Sequence, residues 1–194
     1  TKTIQYIQDE LKTYEFSVTW GEQRSTDDME GEIIATSDHR PSKDEIINAL
    51  PQFIGDIQQI PPKFSAIKVN GERAYDIARD GEEFELQPRT VYIENLKLIK
   101  AHKHSADFEM ICGKGTYVRS LARDLGDTLG TKAYVSALRR TKVGAFTQDN
   151  AISLDILEQK DYVSARSEDL LPLHEVLDDI PALNVKQDEM VRLR

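Results

Sequence analysis

The chain has 194 residues, of which 39% are hydrophobic and 30% charged, a balance that fits one globular domain or one domain with a fragment attached. It contains no apolar run of the length that a transmembrane helix needs. A single cysteine, Cys112, excludes an internal disulfide framework and a metal site built from several cysteines, and it fits a reducing cytoplasm.

The charge is unevenly distributed along the chain. The formal net charge of −9 argues at first against a nucleic-acid partner. However, the net charge is −6 for residues 1–50, +2 for residues 51–150 and −5 for residues 151–194. The acidity therefore belongs to the two ends, and the middle can still offer a basic face to a polyanion.

The first elements along the chain are predicted from hydrophobic spacing. Ile4, Ile7 and Leu11 recur at helical intervals and indicate the tail of a helix. From Tyr14 to Trp20, apolar and polar residues alternate strictly, which predicts a half-buried strand. The stretch GEQRSTDDMEG that follows is predicted to be a polar loop, and EIIAT a second short strand.

The next elements are marked by caps and turns. Ser42 and Glu45 have the spacing of a capping box, so a helix is expected to start there and to end or kink at Pro51. The stretch KFSAIKVNGERAYDIARDG predicts a strand, an Asn-Gly turn and a short helix that stops at Gly81.

In the second half, RTVYIENLKLIKAHKHSADFEMICG predicts two long strands joined by a polar turn. The stretch GKGTYVRSLARDLG predicts a turn followed by a helix, whereas KAYVSALRRTKVGAF mixes helix and strand signals. SLDILEQ and EDLLPLHEVLDD are short amphipathic segments. This order of strands and interspersed helices favours an α+β or mixed α/β fold over a doubly wound sheet.

No metal or nucleotide site is predicted from the motifs. The four histidines are scattered, and the one close pair, His102 and His104, lies in a polar stretch typical of a solvated hairpin end. The chain has no Walker-type loop, no dinucleotide-binding glycine motif and no nucleophile-elbow motif.

One arginine is placed unusually. Arg119 falls in the first turn of the predicted helix, where the helix dipole favours acids, so the position suggests a nearby anion. Two interpretations are open: an ordinary turn and helix with a snorkelling arginine, or Arg119 against a buried carboxylate or phosphate with Tyr117 beside the same ligand.

Other candidates also have two interpretations. Tyr14 is either a core aromatic or a platform that stacks on a flat ligand. Basic residues interleaved with aromatics or close together suit RNA, although a solvated face is the commoner meaning of such runs. The basic residues concerned are Lys63, Lys68, Arg139, Arg140 and Lys142.

Three motifs together resemble those of the TruB-type tRNA pseudouridine synthases. PPKFSAIKVNGERAYDIARDG, GKGTYVRSLARDLG and ALRRTKVGAF occur in that family's order and at its distances, and the resemblance covers roughly residues 1–180. It implies a largely antiparallel central sheet flanked by helices. It also implies a cytoplasmic, monomeric enzyme without metal or cofactor. Such an enzyme flips uridine 55 of the tRNA T-loop out of its stack and isomerises it to pseudouridine through a covalent step.

The resemblance also implies roles for particular residues. Tyr14 matches the active-site tyrosine that stacks on the flipped base and helps to remove a proton, and Leu138 matches an apolar wall of the pocket. Tyr117 and Arg119 match the pocket tyrosine and the arginine that pairs with the catalytic aspartate. Asp28 matches an acid of the family's loop pattern T-D-T-x-D-x-x-G, but here Arg24 and Ser25 replace the first two residues of that pattern.

The sequence departs from the family at both ends. The family's nucleophile is an aspartate in a segment resembling G-H-T-G-x-L-D-P, and this segment does not occur in the chain. We therefore expect residues 1–180 to form a catalytic domain without its N-terminal part, and residues 181–194 to begin a C-terminal PUA-like RNA-binding domain. The chain by itself is expected to be inactive.

Two other functions stay open from the sequence: a non-catalytic RNA-binding module of the same fold, and an unrelated α+β enzyme that uses Asp27, Asp28 or Asp124 as its acid. Since the family's aspartate is not in the chain, we expect Arg119 to face an anion position that no acid of residues 1–194 occupies. An ion pair from Arg119 to an acid of the chain would instead indicate a structural role.

Overall fold

The computed structural model describes residues 10–69, 71–159 and 170–171. Six strands of this part form one antiparallel sheet in the order β10-β9-β1-β8-β7-β4. Their bounds are β1 Lys12–Trp20, β4 Gly55–Gln59, β7 Arg89–Ala101, β8 Ser105–Cys112, β9 Ala133–Val143 and β10 Phe146–Thr147. The α+β fold with a largely antiparallel central sheet is thus confirmed.

Two small hairpins lie outside this sheet. β2 (Glu22–Arg24) pairs with β3 (Ile33–Thr36), and β5 (Lys68–Val69) pairs with β6 (Glu72–Arg73). Glu22–Arg24 belongs to the stretch predicted as a polar loop, and the prediction is wrong for these three residues. They are extended because β3 supplies backbone hydrogen-bond partners, and the polar composition of the stretch does not reveal such a partner.

Four helices are described: α1 Lys43–Ala49, α2 Ala74–Arg79, α3 Val118–Thr128 and α4 Leu154–Gln159. The capping box of Ser42 and Glu45 at the start of α1 is confirmed in both directions. Pro51 follows α1 in a 3-10 turn, Leu50–Phe53, as expected from the missing backbone N–H of proline. Most of the helix predicted from Ile4, Ile7 and Leu11 lies outside the described residues, but Leu11 is described and is not helical, so the prediction is wrong there: β1 begins at the next residue, Lys12. The stretch EDLLPLHEVLDD also lies outside the described residues, apart from Leu170 and Leu171.

The hydrophobic core lies between one face of the sheet and helices α1 and α3. On β1 the buried residues alternate with more exposed ones, as the sequence predicts. The core cluster joins buried residues of both helices to those of the sheet: Phe16, Val18, Trp20, Phe108 and Met110 from the strands, and Ile46, Val118, Leu121 and Leu125 from the helices.

The other face of β1 and β8 is polar. Ser17 donates a hydrogen bond to Asp107 Oδ1 at 2.6 Å, and His102 Nε2 lies 3.1 Å from Asp107 Oδ2. These contacts give His102 a carboxylate partner within the hairpin.

No group of three metal-ligating side chains occurs within the described ranges. Among the same residues, no helix is long and apolar enough to cross a membrane.

Candidate active site

The start of α3 is held by a buried side chain from β4. Tyr117 is the N-cap residue of α3 and makes no side-chain capping bond of its own. Instead, the buried side chain of Gln59, 1% exposed, makes two hydrogen bonds to the Tyr117 backbone. Gln59 Oε1 accepts a hydrogen bond from the Tyr117 N–H at 2.8 Å, and Gln59 Nε2 donates one to the Tyr117 carbonyl at 3.1 Å. Gly115, with φ of +83°, makes the turn before it. One amide side chain therefore fixes the position from which α3 begins.

Arg119 binds three oxygens from two other segments. Its Nη1 donates to the Thr26 carbonyl at 3.0 Å and lies 3.1 Å from Asp28 Oδ2, and its Nη2 donates to the Phe64 carbonyl at 2.9 Å. The expectation that no acid of the chain pairs with Arg119 is wrong, because Asp28 does so. An anion does meet this arginine at the helix N-terminus, and the contact gives Arg119 a structural role between three segments.

Asp28 is itself held on both carboxylate oxygens. Its Oδ1 accepts hydrogen bonds from Thr26 Oγ1 at 2.5 Å and from the Glu30 N–H at 3.1 Å, which leaves Oδ2 directed to Arg119. Gly31 closes this turn: a Cβ placed there would lie 2.5 Å from Thr26 Oγ1. The turn between β2 and β3 thus has room only for glycine at position 31, and it holds the Asp28 side chain in one orientation.

A second ion pair lies beside the first. Arg123 Nη1 is 2.9 Å from Asp27 Oδ2, and Asp27 is 6% exposed. The same guanidinium contacts Asp124 Oδ1 at 3.0 Å and donates Nη2 to the Ile60 carbonyl at 2.7 Å. Of the three acids considered from the sequence, Asp27 and Asp124 pair with Arg123, and Asp28 pairs with Arg119.

Burial dominates the titration of this pair. Desolvation raises the pKa of Asp27 to about 6, although the charge and hydrogen bond of Arg123 act in the opposite direction. Burial also raises the pKa of Asp124. Because native Asp27 binds a proton more readily than the unfolded chain does, this group makes the native state less stable as the pH rises from about 4 to 6.

Two cavities flank the turn. The smaller one, of about 270 Å³, is lined by residues of the turn, α3 and β9: Asp28, Met29, Glu30, Arg119, Val135, Ser136, Ala137 and Leu138. The larger one, of about 850 Å³, includes Asp27, Arg123, Lys63 and Phe64 in its lining. The smaller cavity combines a guanidinium, a carboxylate and the half-exposed side chain of Leu138, which suits a flat polar ligand lying against an apolar wall.

The two tyrosines do not belong to the lining of this cavity. Tyr14 packs against the core and lies opposite Arg140 on β9, two residues along from the Phe16–Leu138 pair. Residues directly opposite each other on antiparallel strands share a face, so Tyr14, Leu138 and Arg140 belong to one face of the sheet. Tyr117 directly precedes α3 and is half-buried.

The predicted basic residues do not form one patch. Arg139, Arg140 and Lys142 are all exposed on β9, but Arg139 lies opposite Glu15 and Lys142 opposite Thr13, on the face away from Tyr14. A register shift between Thr13 and Tyr14 separates Lys142 from Arg140. Lys63 and Lys68 are exposed in a different segment.

Some residues of the site were not found from the sequence. Gln59 gave no signal, because an isolated glutamine at a strand end is ordinary. Asp27 was considered only as a candidate acid, and its pairing with Arg123 was not predicted; the Ser-Thr-Asp-Asp run is rich in turn formers, and aspartate tolerates the left-handed conformation that Asp27 adopts, with φ of +60°. Arg123 was visible only as a residue on the same helix face as Arg119.

Two family models match the sequence of the chain. A family model described as the N-terminal domain of the TruB family pseudouridylate synthases matches residues 1–118. A second, described as the tRNA pseudouridylate synthase B C-terminal domain, matches residues 119–183. The chain belongs to the TruB family. The family model boundary falls between Val118 and Arg119, within α3 as the structure describes it.

Curated members of the TruB family match the whole chain. The tRNA pseudouridine synthase B of Caulobacter vibrioides is 50% identical over 194 residues, which are 100% of this chain and 63% of that protein. The tRNA pseudouridine synthase B of Bradyrhizobium diazoefficiens is 51% identical over 199 residues, which are 100% of this chain and 58% of that protein. The chain thus spans about three fifths of the length of these relatives.

Solved structures show the same fold. A chain of a Cbf5–Nop10–Gar1 complex matches with a TM-score of 0.66 at 21% identity, over 93% of this chain and 47% of that one. A chain of an H/ACA RNP bound to a substrate RNA containing 2'-deoxyuridine matches with a TM-score of 0.61 at 18% identity, over 93% of this chain and 46% of that one. At these identities the likeness concerns the fold.

The Asp27–Arg123 pair predicts a measurable change of pKa. Replacing Arg123 by glutamine removes the charge that lowers the pKa of Asp27, so the pKa should rise above about 6. Carboxyl ¹³C NMR titration of Asp27 measures this. Lys132→Gln is the control, since Lys132 pairs with Asp127 on the same helix at 2.8 Å and should leave the Asp27 titration unchanged. An unchanged or lowered pKa in Arg123→Gln would contradict the assignment.

Proposed function

We propose that this chain forms most of the catalytic domain of a tRNA pseudouridine synthase that isomerises uridine 55 in the T-loop of tRNA. Membership of the TruB family supports the reaction class, and its curated relatives are named tRNA pseudouridine synthase B. The single observation in the structure that carries the proposal is the smaller cavity, where Arg119 and Asp28 lie beside the apolar side chain of Leu138.

The geometry suits a uracil ring removed from its stack. Leu138 provides an apolar wall, and Tyr14 lies on the same sheet face as a platform for the flat base. Stacking and an apolar wall replace the contacts that a base loses when it leaves the loop, and they offset the free-energy cost of extrusion. Tyr117, at the start of α3, is proposed as the second aromatic of the pocket.

The chemistry needs a carboxylate nucleophile, which the family resemblance assigns to a segment that does not occur in these residues. That carboxylate would form a covalent bond to the uridine, the glycosidic carbon–nitrogen bond would break, and the base would turn. C5 of the base would then bond to the ribose, the bond to the carboxylate would break, and C5 would lose a proton while N1 gains one. Arg119 is proposed to hold that carboxylate ionised and oriented. Asp28 would then share Arg119 with the nucleophile, since a guanidinium carries five donors.

The experiment that tests the function compares two proteins on a tRNA transcript. The protein translated from the complete reading frame should convert uridine 55 to pseudouridine, and the 194-residue chain alone should not, although it should bind the tRNA. Pseudouridine is mapped by carbodiimide labelling and primer extension. Conversion by the chain alone would disprove its predicted inactivity. Binding without conversion by the complete protein would favour the alternative, a non-catalytic RNA-binding module.

We also propose that the protein is monomeric and cytoplasmic.

Arg119→Lys should lower the turnover of the complete protein by about tenfold to a hundredfold and leave tRNA affinity largely unchanged. Lysine keeps the charge but cannot reach the three oxygens that Arg119 contacts, and a charge-assisted hydrogen bond contributes about 1.5–3 kcal/mol. Single-turnover kinetics and filter binding measure the two quantities. Arg89→Lys, at the exposed start of β7, is the matched control. An equal loss of binding and turnover would identify Arg119 as a phosphate contact instead.

Among the proposed RNA-binding residues, the neighbours Arg139 and Arg140 lie on opposite faces of the sheet. Arg140 shares the sheet face of Tyr14 and Leu138, so Arg140→Gln should weaken tRNA binding and reduce the slope of log K against log salt by about 0.7–0.9, the value for one phosphate contact. Arg139→Gln is the control, because Arg139 lies opposite Glu15 on the other face and should change the slope less. Equal changes in both variants would contradict a contact specific to this face. Lys63, Lys68 and Lys142 remain further proposed contacts.

A further inference from the structure

Two consecutive aspartates bind two arginines that are one helical turn apart. Arg119 and Arg123 are four residues apart on α3, so their side chains emerge from the same face of the helix. Asp28 pairs with Arg119 at 3.1 Å, and Asp27 pairs with Arg123 at 2.9 Å. The turn between β2 and β3 is therefore fastened to α3 at two points rather than one.

The backbone at Asp27 makes this double contact possible. With φ of +60°, Asp27 is the one non-glycine residue of the described part of the chain in the left-handed region. Its N–H donates to the Arg24 carbonyl at 3.0 Å, and its carbonyl accepts the Val135 N–H at 3.0 Å. Both backbone groups and the carboxylate are thus engaged, which holds the residue in a conformation that side chains seldom adopt.

Asp27 and Arg123 differ from their neighbours in location. They line the larger cavity and are absent from the lining of the smaller one, where Asp28, Arg119 and Leu138 lie. Each of the three guanidinium nitrogens of Arg123 also has a partner among Asp27, Asp124 and the Ile60 carbonyl. A group in this position influences the smaller cavity through the turn and not by touching a ligand there.

We propose that Asp27 and Arg123 are positioning residues for the reaction: their ion pair fixes the turn so that Asp28 holds Arg119 in place beside Leu138. The inference rests on the proposed function, because it assigns the pair an effect on turnover. Within the described residues, Asp28 is the one carboxylate that forms an ion pair with Arg119. Loss of the Asp27 carboxylate should therefore act on turnover and leave tRNA affinity in place.

The test uses variants that separate charge from backbone conformation. Asparagine and glycine both tolerate the left-handed region, so Asp27→Asn and Asp27→Gly remove the ion pair without adding backbone strain. In the complete protein each should lower kcat about tenfold or more with KM for tRNA within about twofold. Asp127→Asn is the matched control, since Asp127 lies on the same helix, its exposed carboxylate pairs with Lys132 beyond the helix end, and its loss should leave kcat unchanged.

A double-mutant cycle distinguishes positioning from a general loss of stability. If Asp27 acts through Asp28, then Asp27→Asn in an Asp28→Asn background should lower kcat little further. Independent, additive losses would overturn the proposal, and so would an unchanged kcat in Asp27→Asn or a change confined to KM.

A second readout does not depend on turnover. The side-chain ¹⁵N signal of Arg119 should shift in Asp27→Asn and stay in place in Asp127→Asn, because only the first change moves the turn that binds Arg119. An unchanged Arg119 signal in Asp27→Asn would overturn the inference. If the unsubstituted complete protein proved inactive on tRNA, the proposed function would fail, and this signal would still decide whether the pair positions Arg119.

Discussion

The contact on which the site depends is the docking of the turn between β2 and β3 onto α3. Two acids adjacent in the chain meet two arginines one helical turn apart, because the left-handed backbone at Asp27 redirects the chain between the two carboxylates. Arg119 is thereby held by a segment some ninety residues earlier in the sequence. Its position follows from this docking, and the cavity beside Leu138 takes its shape from the same contact.

Electrostatics explains why basic residues are tolerated at this end of α3. The positive end of the helix dipole disfavours a cation in the first turn, but Arg119 is surrounded by two carbonyl oxygens and a carboxylate. One turn later, Arg123 lies between Asp27 and Asp124, whose pKa values are both raised by burial. The cost of burying these acids is partly offset by the shared guanidinium, and removing that guanidinium leaves charges without compensation.

The sheet supplies a rigid support for these polar contacts. β1 lies between β8 and β9, and its apolar side packs against α1 and α3 in one core. The same side carries Tyr14, and β9 places Leu138 and Arg140 on it in register. Gln59 adds a direct link between the sheet and the start of α3. The proposed base platform, the apolar wall and the arginine are therefore carried by elements that share one core.

The sequence by itself determined the features that local periodicity controls. The alternation around Phe16 predicts β1, the spacing of Ser42 and Glu45 predicts the start of α1, and both are observed because they need no distant partner. The three ordered motifs identify the family and bring with them Tyr14, Tyr117, Arg119 and Leu138 as candidates. These predictions rest on short segments whose chemistry is readable without knowing the fold.

Only the tertiary structure decided the rest, because each remaining feature needs a partner far away in the sequence. The stretch around Leu138 carries mixed local signals and becomes β9 by pairing with β1. The anion beside Arg119 is Asp28, 91 residues away, where the sequence suggested an acid outside the chain. Periodicity along the chain shows which residues share a face of one element, but it does not contain the distance between two elements, and that distance sets the ion pairs of this site.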